Sequence, residues 1–244
     1  MITKVSQKMR KLNLLRSLEN YPIFNLKIVR ETIEKDRNYS KLVIYRLKKE
    51  KLIFEIERNK YTIQKDPIVI ASNIIWPSYI SCWSALRYHN LTEQLPQAIF
   101  VITTRARKKK EIKFENIKII FTKTKSKYFF GYNKENYQDF YIFIADKEKA
   151  LIDSALFKKI SFSELINIIK NNIKNINIEL LINYLIVIKN KALIKRFGYI
   201  FDELGLDKKK RLKKYIDFKY VALDYALPMK GKKNKEWRII DNVN

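Results

Sequence analysis

Among its 244 residues the chain has one cysteine, Cys82, and one histidine, His89. That scarcity excludes an intrachain disulfide and a zinc site built from several Cys and His ligands, and it fits a cytoplasmic protein. Glycine is nearly as rare. The four, Gly131, Gly198, Gly205 and Gly231, are scattered, so no glycine-rich loop is available to cradle phosphates and no nucleotide cofactor is expected. The N-terminal MITKVSQKMRKLNLL lacks an uninterrupted apolar stretch and reads as an amphipathic helix rather than a signal peptide. The one uncharged run of spanning length, Pro67 to Leu86, is interrupted by serines, by Asn73 and by Pro77-Ser78. It is expected to form two buried helices rather than a membrane segment. Neither a fixed-period repeat nor a long heptad array is present, which argues against a solenoid or a coiled-coil dimer.

Positive charge, by contrast, is abundant. The formal net charge is +26, from 51 Lys and Arg against 25 Asp and Glu, an excess that attracts polyanions. Residues 1–65 carry 17 basic and 7 acidic side chains, against 34 and 18 in the remaining 179 residues, so the N-terminal quarter is denser in positive charge. With 47% hydrophobic residues the chain can bury a real core, and its length suits two domains.

The N-terminal stretch NLKIVRETIEKDRNYSKLVIYRLKKEKLIFEIERNKYTI, residues 25–63, reads as two helices and a two-stranded ribbon, the order of a winged helix-turn-helix. Asn25 is positioned to cap the first helix, and Asn38 or Ser40 the second, after a turn at Asp36 to Asn38. At 100° per residue, Val43 and Leu47 point inward with Ile44 nearby. Lys41, Tyr45, Lys48 and Lys49 then take the opposite face, with Arg46 beside them. Such a face suits the major groove of double-stranded DNA. Arg58, Asn59 and Lys60 form the tip of the wing. The plainer alternative is a small helical domain with an ordinary solvated basic face.

The expected boundary lies at Gln64 to Pro67, where Asp66-Pro67 starts a helix. Beyond it, AIFVIT (98–103), IKIIF (117–121) and FYIFIA (140–145) have strand composition, and RARKKK (105–110) is a basic hairpin or loop. Five helices are expected from Asp146 onward, Gly205 stopping the fourth, and then a short aromatic and basic tail, Val221 to Asn244. The expected fold class is α+β: a winged helix-turn-helix over 1–65 and a larger domain over 66–244. Within the latter, 66–158 is mixed α/β and 159–244 mainly helical.

The second part carries a family resemblance. Pro77-Ser78-Tyr79-Ile80 with Ser84-Ala85-Leu86, then Phe129-Phe130-Gly131, then Asp146 to Asp153 (DKEKALID), followed by KRFGYIFDELG and DYALPMKGKKNKEWRIIDNV, occur in an order that resembles the AbiEi family of antitoxins. The resemblance covers nearly the whole chain. It implies a winged helix that binds the operon's own promoter and a C-terminal domain that neutralises a nucleotidyltransferase-type toxin. In the family a glycine is usual after the Tyr-His pair; here Asn90 follows His89, and Asn tolerates the left-handed conformation such a turn requires.

Enzymatic readings find less support. Cys82 and His89 lie seven residues apart on one expected helix, roughly 10 Å along its axis, whereas a nucleophile–base dyad needs about 3 Å. Asp146, Glu148 and Asp153 follow a strand, where carboxylates can bind metal, but the acid-x-Lys order of many nucleases is absent. A helix N-terminus explains them: Asp146 as cap, Glu148 in the first turn, and Asp153 paired with Lys149 at i,i+4. No metal or other cofactor is expected. The remaining basic runs, with Arg105, Arg107 and Lys108 in one, Lys208, Arg211 and Lys214 in another and Lys230 to Lys235 as a third, are either solvated faces or secondary contacts for nucleic acid or toxin. A DNA- or RNA-binding regulator without antitoxin activity and a metal-dependent nuclease are the rival readings.

Overall fold

Residues 4–206 and 209–243 are described by the structure, a computed structural model of the chain. Three helices come first, α1 (Lys4–Glu19), α2 (Leu26–Ile33) and α3 (Arg37–Lys49), followed by an antiparallel ribbon of β1 (Phe54–Glu57) and β2 (Lys60–Thr62). Asn25 caps α2 as expected, its Oδ1 accepting the amides of Lys27 and Ile28, two donors the helix cannot satisfy itself. The cap of α3 is Asp36 rather than Asn38 or Ser40. Its carboxylate takes the amides of Asn38 and Tyr39 at 2.7 and 3.0 Å. A charged acceptor there gains from the helix dipole as well, and the amide bonds from Tyr39 and Asn38 hold its pKa below the ordinary carboxylate value. Starting at Arg37, the helix aligns Ser40, Ile44 and Leu47 on its buried side, so Ile44 takes the central place expected for Val43, which is only half-buried. Leu14, Leu18, Phe24, Val29, Ile44, Leu47 and Ile53 form one hydrophobic cluster. A backbone bridge between Phe24 and Tyr61 ties the ribbon to the segment before α2.

Asp66 caps α4 (Pro67–Asn73) by accepting the Ile68 amide, with Pro67 where its missing N–H costs nothing. The helix expected to begin at Pro77-Ser78 is instead a strand, β3 (Ser78–Ser81), buried at every position. Helix α5 begins only at Cys82 (Cys82–Tyr88). A short uncharged run is compatible with either a buried helix or a strand covered on both faces, and periodicity cannot choose between them. Here the strand's hydroxyls settle into hydrogen bonds: Ser78 Oγ donates to the Ile75 carbonyl and Ser81 Oγ to Asp153. Asn90 adopts the expected left-handed conformation, φ 56°.

β3 sits inside a six-stranded sheet of order β5-β6-β4-β3-β8-β7. β4 (Ala98–Thr103), β6 (Ile117–Lys123) and β8 (Phe140–Ala145) are the three expected strands. β5 (Glu111–Phe114) and β7 (Tyr132–Tyr137) are additional and form its two edges. Each edge strand pairs antiparallel with its successor across a tight turn in which Glu115 or Gln138 has positive φ. β4 runs parallel to β6, and β3 parallel to β8 but antiparallel to β4.

The first four expected helices follow, as α6 (Lys147–Leu156), α7 (Phe162–Asn171), α8 (Ile178–Ile188) and α9 (Lys191–Glu203). Gly205, at φ 70°, ends α9: its amide bonds the Asp202 carbonyl and the Leu206 amide the Phe201 carbonyl. The fifth helix is only a short α10 (Lys209–Leu212) continued by a 3₁₀ turn, Lys213–Tyr215. The tail folds into a sheet not anticipated from sequence: β9 (Val221–Ala222), β10 (Lys232–Asn234) and β11 (Ile239–Asp241), in the order β10-β11-β9. It delivers Trp237 onto Gly198 of α9, where an added Cβ would lie 2.2 Å from the indole, so only glycine fits. The indole Nε1–H donates to Asp202 at 2.6 Å. The fold class is therefore α+β, as expected.

At the centre, an ion pair within α6 has no solvent access, and hydroxyls of β3 bond to it. Lys149 bonds Asp153 and donates to Tyr79 Oη at 2.9 Å, while the Tyr79 and Ser81 hydroxyls donate to Asp153 Oδ2 at 3.0 and 2.9 Å. Burial raises the Asp153 carboxyl, and Lys149 opposes that rise most strongly. Removing one partner leaves a buried charge unanswered. Lys149→Met is expected to destabilise the protein by about 3–5 kcal/mol, and Lys149→Met with Asp153→Leu by clearly less; urea unfolding of the two variants compares them.

A second buried lysine, Lys195, reaches Asp217 Oδ1 at 2.5 Å and the Lys219 carbonyl, with Lys191 at 3.3 Å from the other carboxylate oxygen. The Lys195 bond holds the Asp217 carboxyl down at about 2. A carboxylate whose pKa is depressed on folding stabilises the folded state above its unfolded value, and that contribution is lost as pH falls through the folded one. Wild-type urea midpoints are therefore expected to drop between about pH 4 and 2, and Asp217→Asn to lower the neutral-pH midpoint and flatten that acid limb. An equally steep limb in the variant would show that Asp217 does not contribute.

Candidate nucleic-acid interface

With Ser40, Ile44 and Leu47 turned inward, α3 presents Lys41, Tyr45, Arg46, Lys48 and Lys49 outward, all of them exposed, Tyr45 by 62%. The ribbon lies beside this helix and leaves a groove lined by Arg37, Lys41, Tyr45 and Lys48 from α3, by Glu55, Arg58, Asn59 and Tyr61 from the ribbon, and by Leu26 and Ile44 at its floor. The structure thus brings together five of the expected residues: Lys41, Tyr45, Lys48, Arg58 and Asn59. Arg37 belongs with them and was missed. Placing the cap at Asp36 would have exposed the spacing Arg37, Lys41, Tyr45, Lys48, one helical face.

Within the groove the cations differ in how committed they are. Lys48 forms an ion pair with Glu55 and lies 6.0 Å above the Tyr61 ring. Burial, then Glu55, raises the Tyr61 hydroxyl pKa. Asn59 is left-handed at φ 61°, and its Oδ1 accepts the Leu26 amide at 3.0 Å, which fastens the ribbon turn to the start of α2. That bond gives Asn59 a structural role. Lys41 and Arg58 have no acidic partner among the ion pairs of the described residues.

Three expected contacts are placed elsewhere. Lys60 does not project from the wing tip: its Nζ donates to the Ile74 carbonyl at 2.7 Å and to Glu57 at 3.2 Å. The register that pairs Glu57 with Lys60, together with the positive φ of Asn59, directs it back toward the chain after α4. Arg107 is nearly buried, paired with Glu57 and stacked 3.9 Å over Phe121, while Arg105 and Lys108 of the same loop are exposed. Arg211 pairs with Glu179 and donates to Asn183 at 2.6 Å. The expected stripe is further interrupted because the helix ends at Leu212. Lys214 is exposed beside Tyr215, and Lys208 lies outside the described residues.

The acidic residues do not converge. Asp146 caps α6 through the Lys149 amide and accepts from Tyr184 Oη at 2.7 Å. Glu148 accepts the Asn177 amide at 2.6 Å, and Asp153 faces Lys149, Tyr79 and Ser81. Among the described residues no group of three or more His, Cys, Asp or Glu side chains is arranged to hold a metal ion. Cys82 is fully buried, with its thiol pushed up to about 12 by desolvation, and His89 Nε2 lies 2.8 Å from the Ala145 carbonyl oxygen at the far end of α5. No thiolate–imidazole pair forms. No helix among the described residues is long and apolar enough to cross a membrane.

The difference in commitment predicts a graded response. Lys41→Ala with Arg58→Ala is expected to weaken binding to promoter duplex and to reduce the salt slope by about 0.9 for each phosphate no longer neutralised. Lys48→Ala, already neutralised by Glu55, should do less. Titrations at several salt concentrations measure both quantities, and an unchanged slope in the double variant would place the interface on another face.

No protein-family model and no curated protein matches the chain. Among solved structures, the RV2827C protein from Mycobacterium tuberculosis superposes with a TM-score of 0.67 over 96% of this chain and 92% of its own, at 10% identity. At that identity the likeness shows the fold alone.

Proposed function

We propose that the chain is an AbiEi-like antitoxin that binds its own promoter as a repressor and neutralises a nucleotidyltransferase-type toxin through residues 66–244. The observation that carries the DNA half is the groove between α3 and the ribbon, where Arg37, Lys41, Tyr45, Lys48 and Arg58 converge. In this reading residues 1–65 are a winged helix-turn-helix, α3 enters the major groove, and the ribbon is the wing that meets the backbone. Lysine and arginine supply phosphate affinity, and Tyr45, exposed in mid-helix, is placed to read a base edge.

The antitoxin half rests on the resemblance, and one observation favours it. Three motifs far apart in sequence pack around the same point. Tyr79 and Ser81 bond the Lys149–Asp153 pair. Phe130 lies 5.3 Å below the Lys149 ammonium, and Gly131 lies so close that an added Cβ would be 3.0 Å from that of Lys149. Segments that determine one buried site are those expected to recur together in a family. Because Asp146, Glu148 and Asp153 each hold a structural partner, the proposed activity is binding rather than catalysis.

Co-expression with a nucleotidyltransferase-type toxin, sought in the neighbouring gene, tests the antitoxin role. The intact chain should restore growth and repress a reporter driven by its own promoter, whereas the Lys41→Ala, Arg58→Ala variant should still restore growth but lose repression. Failure of the intact chain to restore growth would refute the antitoxin role, and loss of both functions in the variant would refute the division of labour.

A further inference from the structure

We infer that Arg107 is a positioning residue for DNA recognition: it holds the β1–β2 ribbon at a fixed place against the six-stranded sheet without itself touching DNA. The inference rests on the DNA-binding reading above and goes beyond it, because it makes the second half of the chain responsible for where the wing stands. The Arg107 side chain is 11% exposed, and that of its partner Glu57 19%. The guanidinium stacks 3.9 Å over Phe121 of β6 while pairing with Glu57 of β1, so one side chain joins ribbon to sheet. Two further contacts act alongside it. Phe54 meets Phe114 of β5 edge-on with ring centroids 6.1 Å apart, and Lys60 donates to the Ile74 carbonyl just beyond α4.

Glu57 is central because it receives both Lys60 and Arg107. Its neighbour Arg58 is the ribbon cation that lines the groove, so the carboxylate that anchors the ribbon is adjacent in sequence to the side chain being aimed. A planar guanidinium can stack on an aromatic face and bond a carboxylate together, which a lysine ammonium cannot do equally well. Arg105 and Lys108, on the same loop, have no such engagement and stay exposed.

A clamp and a phosphate contact predict opposite outcomes for one substitution. Glu57→Gln removes a negative charge close to the proposed DNA surface, so electrostatics alone would strengthen binding. If Glu57 and Arg107 position the ribbon, the same change weakens it. The experiment uses the full chain and its Glu57→Gln and Arg107→Ala variants with a duplex from its own promoter, titrated across salt. Amide hydrogen exchange of residues 54–62 is followed in the free proteins. Both variants should bind about three- to tenfold more weakly, with the wild-type salt slope, and their ribbon amides should exchange faster. Binding by Glu57→Gln equal to or tighter than wild type would overturn the inference. So would a slope lowered by about 0.9 in Arg107→Ala, the mark of a phosphate contact, or unchanged ribbon exchange. If the unaltered protein fails to bind the duplex, the DNA reading falls, while ribbon exchange still decides whether Arg107 holds the ribbon.

Discussion

The Lys149–Asp153 pair is the interaction on which the second half of the chain depends. Two opposite charges without solvent access are tolerable only when every remaining donor and acceptor is answered. Here the answering groups are Tyr79 and Ser81 of β3. That requirement determines which residues of β3 must face α6, and so fixes the register of the strand at the middle of the sheet. Tyr79 in turn stacks on Tyr132 of β7 with centroids 4.7 Å apart, and Phe129 packs against both rings. One polar contact therefore organises a strand, a helix and the loop before β7. A hydrophobic pair of similar size would bury as much area without demanding a single alignment.

The sheet placed in this way also supports the ribbon. β5 and β6 supply Phe114 and Phe121, the surfaces on which Phe54 and Arg107 rest. The N-terminal cluster of Leu14, Leu18, Val29, Ile44 and Leu47 orients α3 from within its own segment, whereas Ile56 of the ribbon packs against the larger core. The α3 wall of the groove is thus set by the N-terminal cluster, whereas the ribbon wall rests on both, Tyr61 on the N-terminal cluster and Phe54 and Ile56 on the larger core. The groove's shape depends on how the two halves of the chain meet, and a change in that meeting would alter the groove without altering any residue lining it.

Much of this was legible in the sequence where a local chemical rule acts alone. Asn25, Asp66 and Asp146 announce helix starts because a short polar side chain before an apolar run has one favourable use, and Gly205 announces a stop for a related reason. The outward face of α3 followed from periodicity. One error was local, the α3 cap at Asp36; the others fall where tertiary partners decide. SYIS became a strand because β4 and β8 were available on either side, which no window of a few residues can register. β5 and β7 were hidden by their charged and polar residues, the composition of an exposed sheet edge. Tail strands of two or three residues carry too little pattern to be seen, yet they seat Trp237 against Gly198.

Charge was the least reliable guide, for a physical reason. A net excess of basic residues describes long-range attraction, but a cation that a carboxylate on the same molecule holds closely has less to offer a partner. Lys48, Lys60, Arg107 and Arg211 are each held by a glutamate, Lys149 and Lys195 by aspartates, and only the geometry reveals which. The glutamates at 55 and 57 carry this furthest. One lies at the groove and tempers Lys48; the other, beyond a register shift in the ribbon, turns to Lys60 and Arg107. Two acidic residues in an otherwise basic ribbon thereby separate the cations that orient it from Arg58, which is left facing the groove.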